Sequence, residues 1–499
     1  MSAKITLSMI VKNEERYLED CLNSVKNVFD EIIIVDTGST DNTLKIAEKF
    51  NAKVFHFDWI NDFSAARNFA LSKSTGEWIL YLDADERLDE SSAKLMLRLS
   101  ENDSEIGFYC TVKSYDSEVQ RNNTIRYVRF FRNHPQARFE GKVHEQITPS
   151  LEKLNYKFIH SDILIHHIGY DISKEGKKQK AKRNLSLLLD DYAASKNDYS
   201  LFQIAQSYHI LENYSESKKF FLQLTASQKI SKQLKAEAHC YLSQIFFNEF
   251  RNSDADKHIR TAISLNSTQP FYHFLNSKIN LRERKFDLAK QNLLKAINCV
   301  KNASVISLNN LQQVNISLNE LLYYGLHLSY QTSDNQLKSF IISELSKNDE
   351  KEVVNLISIL ESTSLNQDVS KYLTLVNNFN LLLIVYLLSK SKDLPAKENF
   401  LNELYKNFPE NKDIIKQFAI TKDNLNQTQT AIKLIEDNFE KLDSDPSAML
   451  YLAMFYLKIS DEKSANKILN LIEEKFANYT DLISKVKKIK TQLTVNVSA

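Results

Sequence analysis

Glycine and proline are scarce in this 499-residue chain, at seven and six residues, and the glycines are bunched. Gly38, Gly76, Gly107, Gly141, Gly169 and Gly176 fall early, and Gly325 alone serves everything that follows. That imbalance predicts turn-rich mixed structure giving way to nearly continuous helix, and a chain of this length predicts two or more domains. Cysteine is equally sparse. Cys21, Cys110, Cys240 and Cys299 include no CxxC pair, which excludes a zinc ribbon and a disulfide framework and fits a reducing cytoplasm. Charge of one sign is missing as well. A net charge of +1 with 25% charged residues excludes a nucleic-acid or membrane-surface binder held by charge. Long apolar runs are also lacking. The longest, Leu381 to Leu388, is far short of the roughly 20 residues that span a bilayer, so it predicts a core helix and no membrane span. The apolar start, Ile5 to Val11, runs into Lys12-Asn13-Glu14-Glu15, the wrong flank for a signal peptide. A soluble, cytoplasmic protein is expected.

Residues 5 to 85 alternate short apolar runs with helical patterns. The runs are Ile5 to Val11, Ile32 to Val35, Lys53 to Phe57 and Glu77 to Leu82, with helices through Leu18 and Val25, Leu44 and Phe50, and Asp62 to Ser72 between them. Such alternation predicts a parallel sheet whose strand C-termini share one edge, where ligands bind. Asn13 and Glu14, Asp36 to Asp41, and Asp83 with Asp85 all fall at strand ends and should converge there. Residues 106 to 169 look like hairpins flanking the same edge. From about Ile172 the pattern is helical. Lys177, Lys178, Lys180, Lys182 and Arg183 open a linker helix whose basic face is expected to be solvated. Ala262-Ile263 and Ala296-Ile297 lie 34 residues apart, the tetratricopeptide period. The boundaries expected are 1–172 for the first domain, 173–197 for the linker helix, 198–300 for tetratricopeptide-like repeats and 301–499 for further helical repeats. Such stacks offer a docking surface for a peptide or protein, or serve only to make the chain a homodimer or brace the first domain.

Trp78-Ile-Leu-Tyr-Leu-Asp83-Ala-Asp85-Glu86 ends an apolar strand in two carboxylates one residue apart. Hard divalent cations take oxygen ligands, and a metal held by one or two carboxylates keeps positions free for substrate phosphates. Asp-x-Asp also occurs at Asp254 and Asp256 and at Asp443 and Asp445, before helical patterns. N-capping is the expectation there, with Pro446 in the first turn.

Four signals in order resemble a known family. They are Ser8-Met-Ile-Val-Lys12-Asn13-Glu14-Glu15, Asp36-Thr-Gly38-Ser39-Thr40-Asp41, Asp62-Phe63-Ser64-Ala65-Ala66-Arg67-Asn68, and Asp83-Ala-Asp85-Glu86. Together they resemble a family 2 glycosyltransferase of GT-A fold over roughly residues 5 to 170. With the repeats, the chain is similar to bacterial enzymes that glycosylate peptides or proteins, the sublancin-type S-glycosyltransferases among them. Phe139-x-Gly141-Lys-Val-His144-Glu145 and His167-x-Gly169-Tyr170 match that subgroup. The implied fold is a Rossmann-like mixed α/β sheet followed by an all-α region.

The resemblance implies roles for individual residues. Asp36 meets the uracil edge, Glu14 lies near the nucleoside, Arg67 near the diphosphate and Asp83 by the ribose. Asp85, with His167, holds Mn²⁺ or Mg²⁺. His166 and His167 should point to opposite faces of a strand, so only one reaches the metal. Glu145 is the candidate base that takes the acceptor proton, with Asp162 and Glu140 as alternatives. The expected reaction is inverting transfer of a hexose from UDP-glucose or UDP-N-acetylglucosamine to a Ser, Thr or Cys side chain of a peptide or protein. A cell-surface glycan or lipid-linked acceptor, or a silent transferase domain on a repeat scaffold, are the alternatives.

Overall fold

Four apolar runs become strands in the computed structural model, which describes residues 4–497 apart from 27, 103, 117–120, 170–172, 303–312, 315 and 363–368. Strands β1 (Ile5–Val11), β2 (Glu31–Asp36), β3 (Lys53–His56) and β4 (Trp78–Tyr81) pair in parallel in the order β3-β2-β1-β4. Helices α1 (Leu18–Ser24), α2 (Thr43–Lys49) and α3 (Phe63–Lys73) make the crossovers. β1 and β4 are apolar almost throughout because both faces of a parallel sheet are covered.

Beyond β4 the chain makes a short β5 (Glu86–Leu88), α4 (Glu90–Leu99), the long hairpin β6 (Ile106–Asp116) and β7 (Arg121–Arg132), α5 (Thr148–Lys153) and β8 (Lys157–His167). The sheet continues β4-β7-β6-β8-β5, with β7 antiparallel to β4 and β6 and with β8 parallel to β6. The indole of Trp78 on β4 stacks on Phe130 of β7 and Phe108 of β6, at 4.9 and 5.7 Å between centroids, and anchors the junction of the parallel and antiparallel parts. β5 runs against the end of β8 with Glu86 opposite His167. Nothing in the sequence pattern announces this pairing of a three-residue strand, and it brings the Asp-x-Asp turn to the histidine.

The rest of the described chain is helical except for β9 (Gln313–Val314), which pairs with β7. Helices α6 (Lys174–Ser195), α7 (Asp198–Ile210) and α8 (Tyr214–Ala226) come first, and Lys174 and Lys178 on α6 both reach Glu212. The repeat has a physical marker. Ser243 Oγ donates to the carbonyl of Ala255, and 34 residues later Ser277 Oγ donates to that of Ala289. Leu381–Lys390 is the expected core helix, and no described helix is long and apolar enough to cross a membrane. Asp445 caps the helix Pro446–Lys458 as expected, accepting from the N–H groups of Ser447 and Ala448. Asp254 does not cap. It lies inside the helix Asn252–Leu265, which begins two residues earlier, and pairs with Arg251. The chain forms two compact units, one of Met1–Leu242, Thr261–Phe271 and Asn302–Asn315, the other of Ser243–Arg260, Tyr272–Lys301 and Ile316–Ala499.

Candidate active site

At the C-terminal edge of the parallel strands, the loops after β1 and β2 are sewn together. Asn13 takes a left-handed conformation, its N–H donates to Ser39 Oγ, and its side-chain oxygen accepts from Thr40. The N–H groups of Glu14 and Glu15 donate to Thr43 and Asp41. Asp36, buried at the end of β2, accepts from the N–H groups of Gly38 and Ser39 and lies 3.5 Å from His56. Its carboxylate therefore shapes its own loop, which is the capping role a polar strand end commonly has.

The turn after β4 is built on buried charge. Arg67 of α3 donates through one guanidinium nitrogen to Asp83 at 2.6 Å and through Nε to Glu145 at 2.5 Å, with its guanidinium over the rings of Tyr81 and Phe139. Arg129 of β7 pairs with Glu86 at 2.9 Å, approaches Asp83 at 3.7 Å and also covers Tyr81. Glu86 in turn accepts from the N–H of Asp83. Burial works to raise the Asp83 carboxyl, but Arg67 and Arg129 outweigh it and hold that carboxyl well below the usual range. Glu86, sealed in completely, is pushed up by burial. Arg87 clamps the turn from outside, donating to the carbonyls of Ala84 and Tyr17.

Asp85 points the other way, to His167 Nε2 at 3.1 Å, while His166 turns toward Asp89. Strand alternation separates the two histidines as expected. Gly169 makes room for this pair: a Cβ there would lie 1.9 Å from Asp85 Oδ2, so any side chain would drive the carboxylate out. Burial works against charging His167, yet its bond to Asp85 raises its pKa. Glu14 completes the negative edge. Burial, then Asp85, Asp83 and Asp41, push its carboxyl up to about 7.

These features fit a hard divalent cation. A metal with bonds of about 2.1 Å sets neighbouring ligand atoms about 3 Å apart, close to the Asp85 to His167 separation. Among the described residues no group of three or more His, Cys, Asp or Glu side chains is arranged to hold a metal ion.

Glu145 sits on a strap between β7 and α5. Glu140 and Gln146 close it with two backbone hydrogen bonds, and between them Gly141 and His144 both have positive φ. Arg67 thus joins the Asp83 side of the site to Glu145. Each of the three candidate carboxylates faces a cation: Glu145 faces Arg67, Glu140 faces Lys153, and Asp162 acts on Arg126. Arg67, expected beside a diphosphate, makes its two ion pairs within the protein. The sequence assigns no role to Arg129 or Arg87, and Glu86 enters it only as the last residue of Asp83-Ala-Asp85-Glu86. Only the oddity of a charged residue between the core positions Val128 and Phe130 could have singled out Arg129.

Residues 6–164 match the family model described as glycosyl transferase family 2. A TPR repeat-containing protein of Synechococcus elongatus is 38% identical over 200 residues, covering 38% of this chain and 49% of that one. The SPbeta prophage-derived glycosyltransferase SunS of Bacillus subtilis is 32% identical over 216 residues, covering 43% and 51%. The chain thus spans about half the length of these curated relatives. Among solved structures, S. aureus TarS 1–349 in complex with UDP aligns at 15% identity over 63% of this chain and 97% of that one, with a TM-score of 0.26, too loose to bear on function. With its mixed sheet and the match over 6–164, the chain carries a glycosyl transferase family 2 domain, followed by a long helical region.

Proposed function

We propose that the protein is a metal-dependent, inverting glycosyltransferase moving a hexose from a UDP-sugar, UDP-glucose or UDP-N-acetylglucosamine, to a Ser, Thr or Cys side chain of a peptide or protein. The observation that carries this reading is the Asp85 and His167 pair seated against Gly169, joined through Asp83 and Arg67 to Glu145. Donor-side carboxylates and a candidate base then lie around one edge. The names of the glycosyltransferase and TPR relatives support a sugar transferase joined to helical repeats, the kind of surface on which a peptide or protein acceptor would dock.

In this reading the loops of Glu14 and Asp36 receive the nucleoside and Asp83 the ribose, accepting from N–H and O–H donors. Asp85 and His167 would hold Mn²⁺ or Mg²⁺, whose charge would offset that of the departing diphosphate. Glu145 accepts the proton of the acceptor O–H or S–H, and the oxygen or sulfur bonds to the anomeric carbon. The bond from that carbon to the diphosphate breaks, and UDP leaves with the electron pair. A single displacement inverts the centre. For a thiol acceptor the base matters less, because part of the thiol is already ionised near neutral pH.

The test is to incubate the chain with Mn²⁺ and a panel of UDP-sugars, with and without cysteine- and serine-bearing peptides, following UDP release and peptide mass. Hexose addition that chelator removes is the expected result. Absence of both hydrolysis and transfer from every donor would reduce the domain to a scaffold.

A further inference from the structure

The segment Asp62 to Asn68 has one member, Arg67, inside the charge network, but its neighbours have another task. Helix α3 starts at Asp62, whose side chain accepts from the N–H of Ala65. That start places Phe63, Ser64, Arg67 and Asn68 along one side of the helix, one turn apart in pairs. The N–H of Phe63 donates to the carbonyl of Lys142, and Ser64 Oγ donates to that of Gly141 at 2.5 Å. Asn68 does more. Its amide nitrogen donates to the carbonyl of Phe139 at 3.0 Å and its amide oxygen accepts the N–H of Phe139 at 2.7 Å. The side chain thus imitates a neighbouring strand and satisfies both backbone groups of a buried residue, which no aliphatic side chain can do.

We propose that Asn68, assisted by Ser64, is a positioning residue for Glu145. It fixes the register of the strap on α3, and the strap presents the Glu145 carboxylate to the acceptor. This inference rests on the assignment of Glu145 as base in the reading above. The closure at Glu140 and Gln146, with the left-handed residues between, makes the strap short and stiff, so a shift at Phe139 is passed on to Glu145 rather than absorbed. The bonds through Phe63, Ser64 and Asn68 all land on 139–142, and the ion pair through Arg67 lands on Glu145 itself. Asn68 spends its amide on the strap and not on the donor-side loops after β1 and β2, so its removal should leave nucleotide binding alone.

The experiment uses the full chain and water as the acceptor. Release of UDP from UDP-glucose and from UDP-N-acetylglucosamine is followed with Mn²⁺, and UDP affinity is measured separately by calorimetry. Asn68→Leu, of similar volume, should slow release roughly 10- to 100-fold, the effect of an ångström-scale displacement, with UDP affinity unchanged within about twofold. Amide exchange over 137–147 should rise in Asn68→Leu and not in Glu145→Gln. Asn68→Asp supplies a readout that packing alone would not move. Its carboxylate faces the Phe139 carbonyl and is repelled, whereas its protonated form can again donate and accept. Its rate relative to wild type should therefore recover as pH falls toward about 5, where a carboxyl raised by burial and by the facing carbonyl begins to take up a proton. Ser64→Ala removes one bond and should act in the same direction more weakly, which keeps the test open should Asn68→Leu not fold. Wild-type release with unchanged exchange in Asn68→Leu overturns the clamp, as does a parallel loss of UDP affinity. Undiminished release by Glu145→Gln, or no release by the wild type, overturns the underlying reading instead.

Discussion

Asp445 and Asp443 are fully employed by the helices around them. Asp445 accepts two N–H groups at the start of its helix and pairs with Lys416 at 2.9 Å, while Asp443 pairs with Lys475. Asp83 and Asp85 have the same spacing in sequence but end a strand, and their partners are two buried arginines and a histidine drawn from three other elements. Glu14 on the same edge is pushed up first by burial and then by Asp85, Asp83 and Asp41. An Asp-x-Asp that spends its oxygens on helix N–H groups is structural. One that is propped apart by arginines and left facing a histidine can receive a cation.

The contrast can be broken by exchange of effects. Asp85→Ala should lower turnover by about 1,000-fold, the several kcal/mol a metal supplies to a leaving group, with the melting temperature little changed. Asp445→Ala should keep full activity and lose about 1 kcal/mol of stability, the worth of a cap, in chemical denaturation. Activity loss in the second, or its retention in the first, erases the distinction. Gly169→Ala should come next, with turnover down roughly 10-fold or more through the displaced Asp85 carboxylate, and with metal affinity falling in step. If metal affinity held while activity fell, Asp85 would not be the ligand.

A pH series sharpens the same comparison. Glu14 titrates near 7 in the folded chain against an ordinary 4.5, so between those values the folded state binds more protons than the unfolded one. Wild-type stability should therefore decline as pH rises through this window. The melting temperature of Glu14→Gln should gain on the wild type from pH 5 to 8, and Mn²⁺ should narrow that gap. Parallel melting curves would show that the cluster carries no surplus charge. The smallest effect is expected at Asp443, whose pair with Lys475 is exposed on both sides. Asp443→Ala should change stability by less than about 0.5 kcal/mol.

The β-α alternation is legible because β1, β2 and β4 are continuous apolar runs, and their polar ends mark the edge without any long-range knowledge. The opposite directions of His166 and His167 follow from strand period alone. What escapes a reading of the sequence is set by distant pairing. β5 is three residues long and is a strand only because β8 lies beside it, and β9 likewise depends on β7. Arg67 is singled out by the resemblance, but its two ion pairs, to Asp83 and to Glu145, are not legible, since Glu145 arrives from a strap 78 residues away. Asp254 misleads because it lies three positions past the cap position, in the first turn, a shift that local composition does not resolve.

The strap is also gripped from its other side. Val143, between Lys142 and His144, is buried against Leu188 of α6 and Ile204 of α7, with Phe63 of α3 and Phe220 of α8 at the margin of the same cluster. A gene fragment cut where the sheet finishes would leave that valine facing water and remove the wall behind the candidate base. Anyone expressing the catalytic portion alone should therefore end the fragment beyond Phe220, and anyone exchanging the helical array for another should treat its first three helices as inherited with the sheet.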